Sequence, residues 1–230
     1  RSRHGYALQH PAQSIGSVHR HFGNVGHKIR AYTYLRALGR EGVRRMSAVA
    51  VLAARYLHHR LKHHFPTLPQ ETSDSPRMHE FIITLPEATC ETLEAAGISR
   101  ARAIGPFGKL FLDFGYHAPT VSFPEAQGLM IEPTESYTKA ELDRFADAII
   151  LMLHLVHEQP TILHTVPHFT PVDRIDDVRA NKHVVVSAPL TTLPQVLPNR
   201  IAPDQLAQMP LEAIADAIRT ASASKLQRPR

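Results

Sequence analysis

Gly128-Leu-Met-Ile-Glu-Pro-Thr-Glu-Ser136 and, just before it, Gly115-Tyr-His-Ala-Pro-Thr-Val-Ser-Phe-Pro124 are the stretches whose reading decides the fold of this chain. Each is a short apolar strand that stops at polar residues and a proline. Strands that end this way usually deliver side chains to a cleft rather than to a core. Two such strands cannot bury their own apolar face, so the flanking sequence must provide helices to cover it.

It does so on both sides. Downstream, Thr138-Lys-Ala-Glu141 is a capping box that opens a helix, with Leu142, Phe145, Ile149, Met152, Leu153 and Val156 on one side until Pro160 stops it. Upstream, a helix is expected from about Pro106, a favourable first-turn residue, to Phe114, closed by Gly115. Glu87 to Ile98 reads as a short helix or turn, and Met78 to Leu85, with Phe81, Ile82 and Ile83, as a strand. Further back, Ile29, Tyr32, Leu35 and Leu38 recur at three-residue steps on a helix that begins near Asn24. Gly39 is its stop or kink. Val43, Met46, Val49, Ala50, Ala53, Leu57 and Leu61 then carry a second helix to about His64. Pro66 to Pro76 is a loop by composition.

The expected organisation is an irregular segment over 1–22, a helical interdomain segment over 23–65, a small C-terminal α/β domain over 66–187, and a tail over 188–230. Val184-Val-Val186 is a possible strand. The tail is rich in Pro, Thr, Gln and Ala and reads as mostly disordered, apart from one amphipathic stretch from Pro203 to about Ala221. The order of elements gives an α+β fold.

The chain has 230 residues, 43% hydrophobic and 20% charged, which is ordinary globular composition. No apolar run approaches the ~20 residues of a membrane-spanning helix. Cys90 is the sole cysteine, so an intrachain disulfide is impossible, and no nucleophile pattern surrounds it. The formal net charge is +5, mostly from the first forty residues, which contain no Asp or Glu. Such a start resembles a mitochondrial transit peptide, although the motifs described below already begin inside it; the cytoplasm is the expected location and the mitochondrial matrix the alternative. The first residue is Arg rather than Met, as in a fragment, a processed product or an incomplete gene model.

Sixteen histidines invite a metal reading. His59 and His63 stand four apart on a helix, but the run His59-Arg-Leu-Lys-His63 lacks the Glu of a zinc protease, and a solvated helix end explains it equally. No metal site is assigned. GxSxG, GxGxxG and the P-loop signature are absent. The aromatics near the basic start follow helix spacing rather than a stacking platform, so neither a nucleic acid nor a membrane is an expected partner. What is left lies at strand ends and adjacent loops: His117, Thr120, Glu132 and Thr134, with Glu135, and as secondary candidates His79 and Glu80. A carboxylate at a strand end can orient a histidine, meet a charged substrate, or simply help start the next helix.

Several runs carry a resemblance to a known family. They are Ser14-Ile-Gly16, Phe22-Gly-Asn24, Arg30-Ala-Tyr-Thr-Tyr34, Leu38-Gly-Arg-Glu-Gly42, Met78-His-Glu-Phe81, Leu112 to Pro124, Leu129 to Glu135, Pro167-His-Phe-Thr-Pro171 and Arg174-Ile-Asp-Asp-Val178. In this order the chain resembles the C-terminal part of glycine dehydrogenase (decarboxylating), the P-protein of the glycine cleavage system, and in particular the second subunit of two-subunit bacterial forms. The resemblance covers about Ser14 to Ser187.

It implies the C-terminal domain of a fold type I pyridoxal-phosphate enzyme, preceded by two long helices. The cofactor lysine would stand in a His-Lys step upstream of this chain. His27-Lys28 is such a step, but it falls on the helix after the cofactor domain, so no cofactor lysine is assigned here. The resemblance also implies a reaction in which the cofactor acts as electron sink, glycine loses carbon dioxide, and an aminomethyl group passes to the lipoyl carrier H-protein. His117, Thr120, Glu132 and Thr134 would line one wall of that cleft. The implied partners are an upstream pyridoxal-phosphate domain or subunit, the H-protein and glycine. The chain alone is expected to be inactive. The rival reading is an interaction module that kept the surface without the chemistry, and a zinc-binding helical protein is a more distant third.

Overall fold

A computed structural model describes residues 5, 10–16, 23–70, 78–121, 123–172, 175–187 and 199–227. The chain divides into two units, 1–46 and 47–230. The first helix, α1 (Val25–Leu61), is interrupted at Gly39, where φ is 63° and ψ −173°. That left-handed backbone suits a residue without a Cβ, and it is where the sequence expects a stop or kink.

In the 47–230 unit the apolar periodicity of α1 has a clear destination. Ala53, Ala54, Leu57 and Leu61 are buried. Next come β1 (Thr67–Leu68), β2 (Phe81–Thr84), α2 (Glu87–Ala95), α3 (Arg100–Asp113), β3 (Thr120–Val121), β4 (Gly128–Ile131) and α4 (Lys139–Glu158), closed by a 3₁₀ turn over Pro160–His164. α5 (Asp177–Lys182), α6 (Pro203–Gln208) and α7 (Leu211–Leu226) complete the described elements. The mixture of helices with one small sheet is an α+β architecture.

The sheet is antiparallel, in the order β1-β2-β4-β3. Phe81 stands opposite Ile131 and Ile83 opposite Leu129, and all four are buried. Residues directly opposite share a face, so these four make the core side. Ile82, Met130 and Thr120 line up on the other side. α3 contacts β3 and β4, while α4 contacts α2, the 3₁₀ turn and α7. Phe107, Leu110, Phe111, Ile149, Met152 and Val156 fill the space between.

Polar contacts fix the junction of α1 with α4. Arg60 donates to Asp143 at 2.7 Å and to Asp147 at 2.6 Å, and the Tyr56 hydroxyl donates to Asp143. Lys139 Nζ reaches the second Asp143 oxygen at 2.7 Å. The capping box is present as the sequence reads it: Thr138 Oγ1 accepts from the Glu141 N–H, and Glu141 accepts from the Thr138 N–H.

Several expectations are corrected. α3 starts at Arg100, six residues before Pro106, which sits inside the helix. A proline there removes one backbone donor, but buried Ala103 and Ile104 anchor the turns before it, and packing outweighs the lost bond. The composition of Pro66 to Pro76 reads as loop, yet Thr67 and Leu68 pair with Ile83 and Ile82; 71–77 lie outside the described residues. Val184, Val185 and Val186 form no strand and are exposed.

In the tail the amphipathic stretch expected from Pro203 to about Ala221 is helical, and it differs in running on to Leu226 and in burying Ile214, Ala215, Ile218 and Ala221 in the core. Its small and branched residues recur at helical spacing against α4, which composition alone does not weigh. The expected single stretch is broken at Pro210; Met209 takes an extended backbone (φ −75°, ψ 145°), as a residue before proline does. Residues 188–198 lie outside the described residues.

Candidate functional site

Gly115 turns the chain out of α3 toward the site. Its φ is 81°, and a Cβ there would stand 3.0 Å from Leu206 Cβ and 3.2 Å from the Pro203 carbonyl oxygen. Only glycine fits both the turn and the close approach of α6. The loop that follows carries Tyr116 and His117 to the edge of an open cavity of about 530 Å³.

The cavity floor is apolar: Leu57, Phe114, Leu142 and Phe145, with Tyr116 packed edge-on against Phe145 at 5.2 Å between ring centres. His117, Thr120 and Glu132 all line it. The pleat explains the grouping. Thr120 stands opposite Met130, and Glu132 is two residues beyond Met130, so the three share the side of the sheet away from Leu129 and Ile131. Pro133 holds Glu132 extended at the strand end. His117 Nδ1 lies 3.2 Å from the Ala118 carbonyl oxygen.

Thr134 is not brought to the cavity. It is exposed, and its Oγ1 accepts from the Ser136 N–H at 3.3 Å. The turn into α4 uses its hydroxyl locally, a role its type favours. The secondary candidates do reach Glu132. His79 Nε2 lies 3.4 Å from Glu132 Oε1, and one ligand atom from each of His79, Glu80 and Glu132 falls within a 4.8 Å group. All three residues are exposed, and exposed acidic groups commonly gather without an ion, so no metal is assigned to them. His59 and His63 are exposed on the end of α1 and just beyond it.

Sequence reading missed Tyr137, Arg144 and Tyr116, all of which line the cavity. Tyr116 adjoins His117 and Tyr137 closely follows Glu135, so the available signal was an aromatic beside each candidate cluster. Burial pushes the Tyr116 phenol up, and the neighbouring Arg144 guanidinium pulls partly against it. Arg144 donates through Nη2 to the carbonyls of Leu206 and Met209, each at 2.9 Å, and so ties α4 to α6.

A second cluster lies wholly inside. Asp113 Oδ1 accepts from the N–H groups of His168 at 2.6 Å and Phe169 at 3.0 Å, and Oδ2 from His168 Nδ1 at 2.7 Å. His168 Nε2 stands 2.9 Å from Thr165 Oγ1, which is 2.8 Å from Ser222 Oγ. Lys225 Nζ donates to the carbonyls of Thr165 and Pro167. An acid, a histidine and a hydroxyl in line match the roles of a hydrolase triad. Here the Asp113 and His168 side chains are both 0% exposed, and the Thr165 hydroxyl also bonds the Ile162 carbonyl. No substrate reaches such a hydroxyl, and the cluster is a structural knot. Cys90 is also buried, and burial raises its thiol, the opposite of what a nucleophile needs.

The glycine dehydrogenase C-terminal domain matches residues 46–164, slightly over half of the chain, and includes the cavity lining from Leu57 to Phe145. The chain belongs to the glycine dehydrogenase family. Among curated relatives it is similar to probable glycine dehydrogenase (decarboxylating) subunit 2 of Methylococcus capsulatus, 41% identical over 80% of this chain and 36% of that protein. The proteins of the same name from Desulforamulus reducens (40% identical, 77% of this chain, 34% of that protein) and Thiobacillus denitrificans (39%, 75% and 34%) are similar as well. The chain thus spans about a third of the length of the relatives it matches.

Glycine dehydrogenases are generally pyridoxal-phosphate enzymes, and the cavity does not fit that group by itself. Among the described residues its lining includes no lysine, and the arginine there, Arg144, is engaged by two carbonyls and by Tyr116.

Proposed function

We propose that this chain is the C-terminal part of a glycine decarboxylase of fold type I. The complete enzyme removes carbon dioxide from glycine and passes the aminomethyl group to the lipoyl carrier H-protein. Pyridoxal phosphate is held on a lysine upstream of the residues present here. This chain gives the cleft one wall, and by itself it is inactive.

The observation that carries this reading is the open cavity with His117, Thr120 and Glu132 at its rim, in a chain that matches a third of its relatives' length. A carboxylate and an imidazole at the edge of an apolar pocket can orient a small zwitterion. Glu132 orients, with His79 at 3.4 Å to steady its carboxylate.

Reconstitution tests the proposal. The purified chain, given pyridoxal phosphate and glycine, is expected to release no carbon dioxide and to show no aldimine absorbance. Placed in the complete enzyme it supports turnover, and Glu132→Gln lowers that turnover by more than ~10-fold, about 1.4 kcal/mol of transition-state stabilisation. Wild-type turnover in that variant removes Glu132 from the site. Turnover by the isolated chain overturns the whole reading.

A further inference from the structure

α6 lies beyond residue 164, where the matched domain ends, yet it supplies part of the cavity. Leu206 is 0% exposed and anchors it, while the next residue, Ala207, is exposed and lines the cavity. A helix of six residues is too short to hold its place by its own hydrogen bonds. Outside contacts set its position. At its start, Pro203 and Leu206 stand against Gly115, and the Ile201 N–H donates to the Phe169 carbonyl at 3.2 Å. At its end, the carbonyls of Leu206 and Met209 both accept from Arg144 Nη2 at 2.9 Å. These are the carbonyls that a helix terminus leaves without a partner of its own.

The same guanidinium is hydrogen-bonded to the Tyr116 hydroxyl. Tyr116 packs edge-on against Phe145, and His117 follows it on the lining. Two carbonyls and a phenol are neutral oxygens, so what Arg144 gives them is direction. A rigid planar fork fixes that direction; a lysine ammonium on a flexible stem does not. We propose that Arg144 is the positioning residue of the cavity, and that through α6 and Tyr116 it sets the shape of the seat for a small zwitterion. The inference rests on the functional reading above and names what fits the site to its substrate. One side chain fixes two lining residues from different elements, Ala207 on α6 and Tyr116 in the loop after α3. Tyr116 in turn sets the direction from which His117 enters the rim. Ala207 presents only a methyl group, so a larger side chain there takes space from the cavity directly.

Two variants of the full chain test this, Arg144→Lys and Ala207→Phe. Nuclear magnetic resonance on the chain itself is the first readout. Arg144→Lys is expected to move the Ala207 methyl and His117 ring signals together. Ala207→Phe, at an exposed position, should leave the melting midpoint within about 2 °C of the parent. Ser222→Ala removes a hydroxyl from the inner cluster, away from the cavity lining. It should lower the melting midpoint and leave both signals in place, as a merely structural role would. In the complete enzyme, Arg144→Lys and Ala207→Phe should each raise KM for glycine more than about 5-fold with kcat within about twofold, the mark of lost binding rather than lost chemistry. Ser222→Ala should leave KM unchanged. Signals of Ala207 and His117 that stay in place in Arg144→Lys overturn the proposal. So does an unchanged KM in Ala207→Phe, which also decides the matter if Arg144→Lys does not fold. A complete enzyme that turns over glycine with a KM indifferent to both variants leaves the functional reading standing and defeats this one. A complete enzyme inactive with the parent chain defeats the functional reading, and the resonance signals then decide the role of Arg144.

Discussion

His168 and His79 each stand beside a carboxylate, and the two pairs do opposite things. The His168–Asp113 pair is 0% exposed, with each Asp113 oxygen accepting at least one N–H bond and each imidazole nitrogen within 2.9 Å of a partner. The His79–Glu132 pair is about half exposed, at 3.4 Å, with room around it. The first pair has no capacity left for a ligand, so its worth lies in holding the turn after α4 to α3 and α7. The second is open to solvent, with Glu132 on the cavity lining, so it can still take a further partner, and the proposed function uses it in that way. Residue type alone does not separate structure from function; the number of unspent hydrogen bonds does.

The sharpest way to break this contrast is Asp113→Ala. It leaves two backbone N–H groups and a buried imidazole without an acceptor, and should cost about 3–5 kcal/mol in urea unfolding. A loss under about 1 kcal/mol would mean that the inner pair is no knot at all. Gly115→Ala, at the turn between the two regions, meets both a positive φ and the α6 backbone, and should cost about 1–3 kcal/mol. His79→Ala or Glu132→Gln, by contrast, should shift unfolding by less than about 0.5 kcal/mol. A larger shift would make the outer pair structural as well.

Legibility follows the same division. The capping box at Thr138, the break at Gly39 and the strand that ends just before Glu132 were readable because each is a local rule: a hydrogen-bond geometry, a φ preference, a proline after a strand. That His117 and Glu132 would lie where strands meet loops was readable for the same reason, and both line the cavity. What could not be read depended on distant partners. Pro106 marks a helix start by local rule, but the helix begins at Arg100, held ahead of the proline by buried Ala103 and Ile104. Thr67 and Leu68 are strand only because Ile83 and Ile82 lie opposite. Asp113 and His168, 55 residues apart, gave no sign in sequence of meeting. Thr134 failed as a wall residue because its hydroxyl found a nearer partner in the Ser136 backbone.

The smallest effect concerns pH. The Lys139 ammonium, through its hydrogen bond, and then the Tyr56 hydroxyl hold the Asp143 carboxyl below the ordinary aspartate range. A carboxyl lowered on folding contributes stability that is fully present above its unfolded value of about 4, and that fades as the pH falls through the lowered folded value. Acid unfolding followed by circular dichroism should therefore be less steep in Asp143→Asn than in the parent chain. The difference should be modest, because Asp143 is partly open to solvent, which screens it. An identical acid profile would show that the α1–α4 junction is indifferent to this carboxylate.

The seating of α7 also fixes when the domain can exist. Ribosomes deliver a chain in order, and Ile214, Ile218, Ser222 and Lys225 emerge after α3, α4 and the Pro160–His164 turn that they cover. Until they emerge, the apolar flank of α4 and the Thr165 hydroxyl stand open, exposed to proteases and to aggregation with other unfinished chains. The domain closes only after translation has passed Lys225, so a message cut short by even this one helix yields an incomplete core rather than a slightly smaller protein.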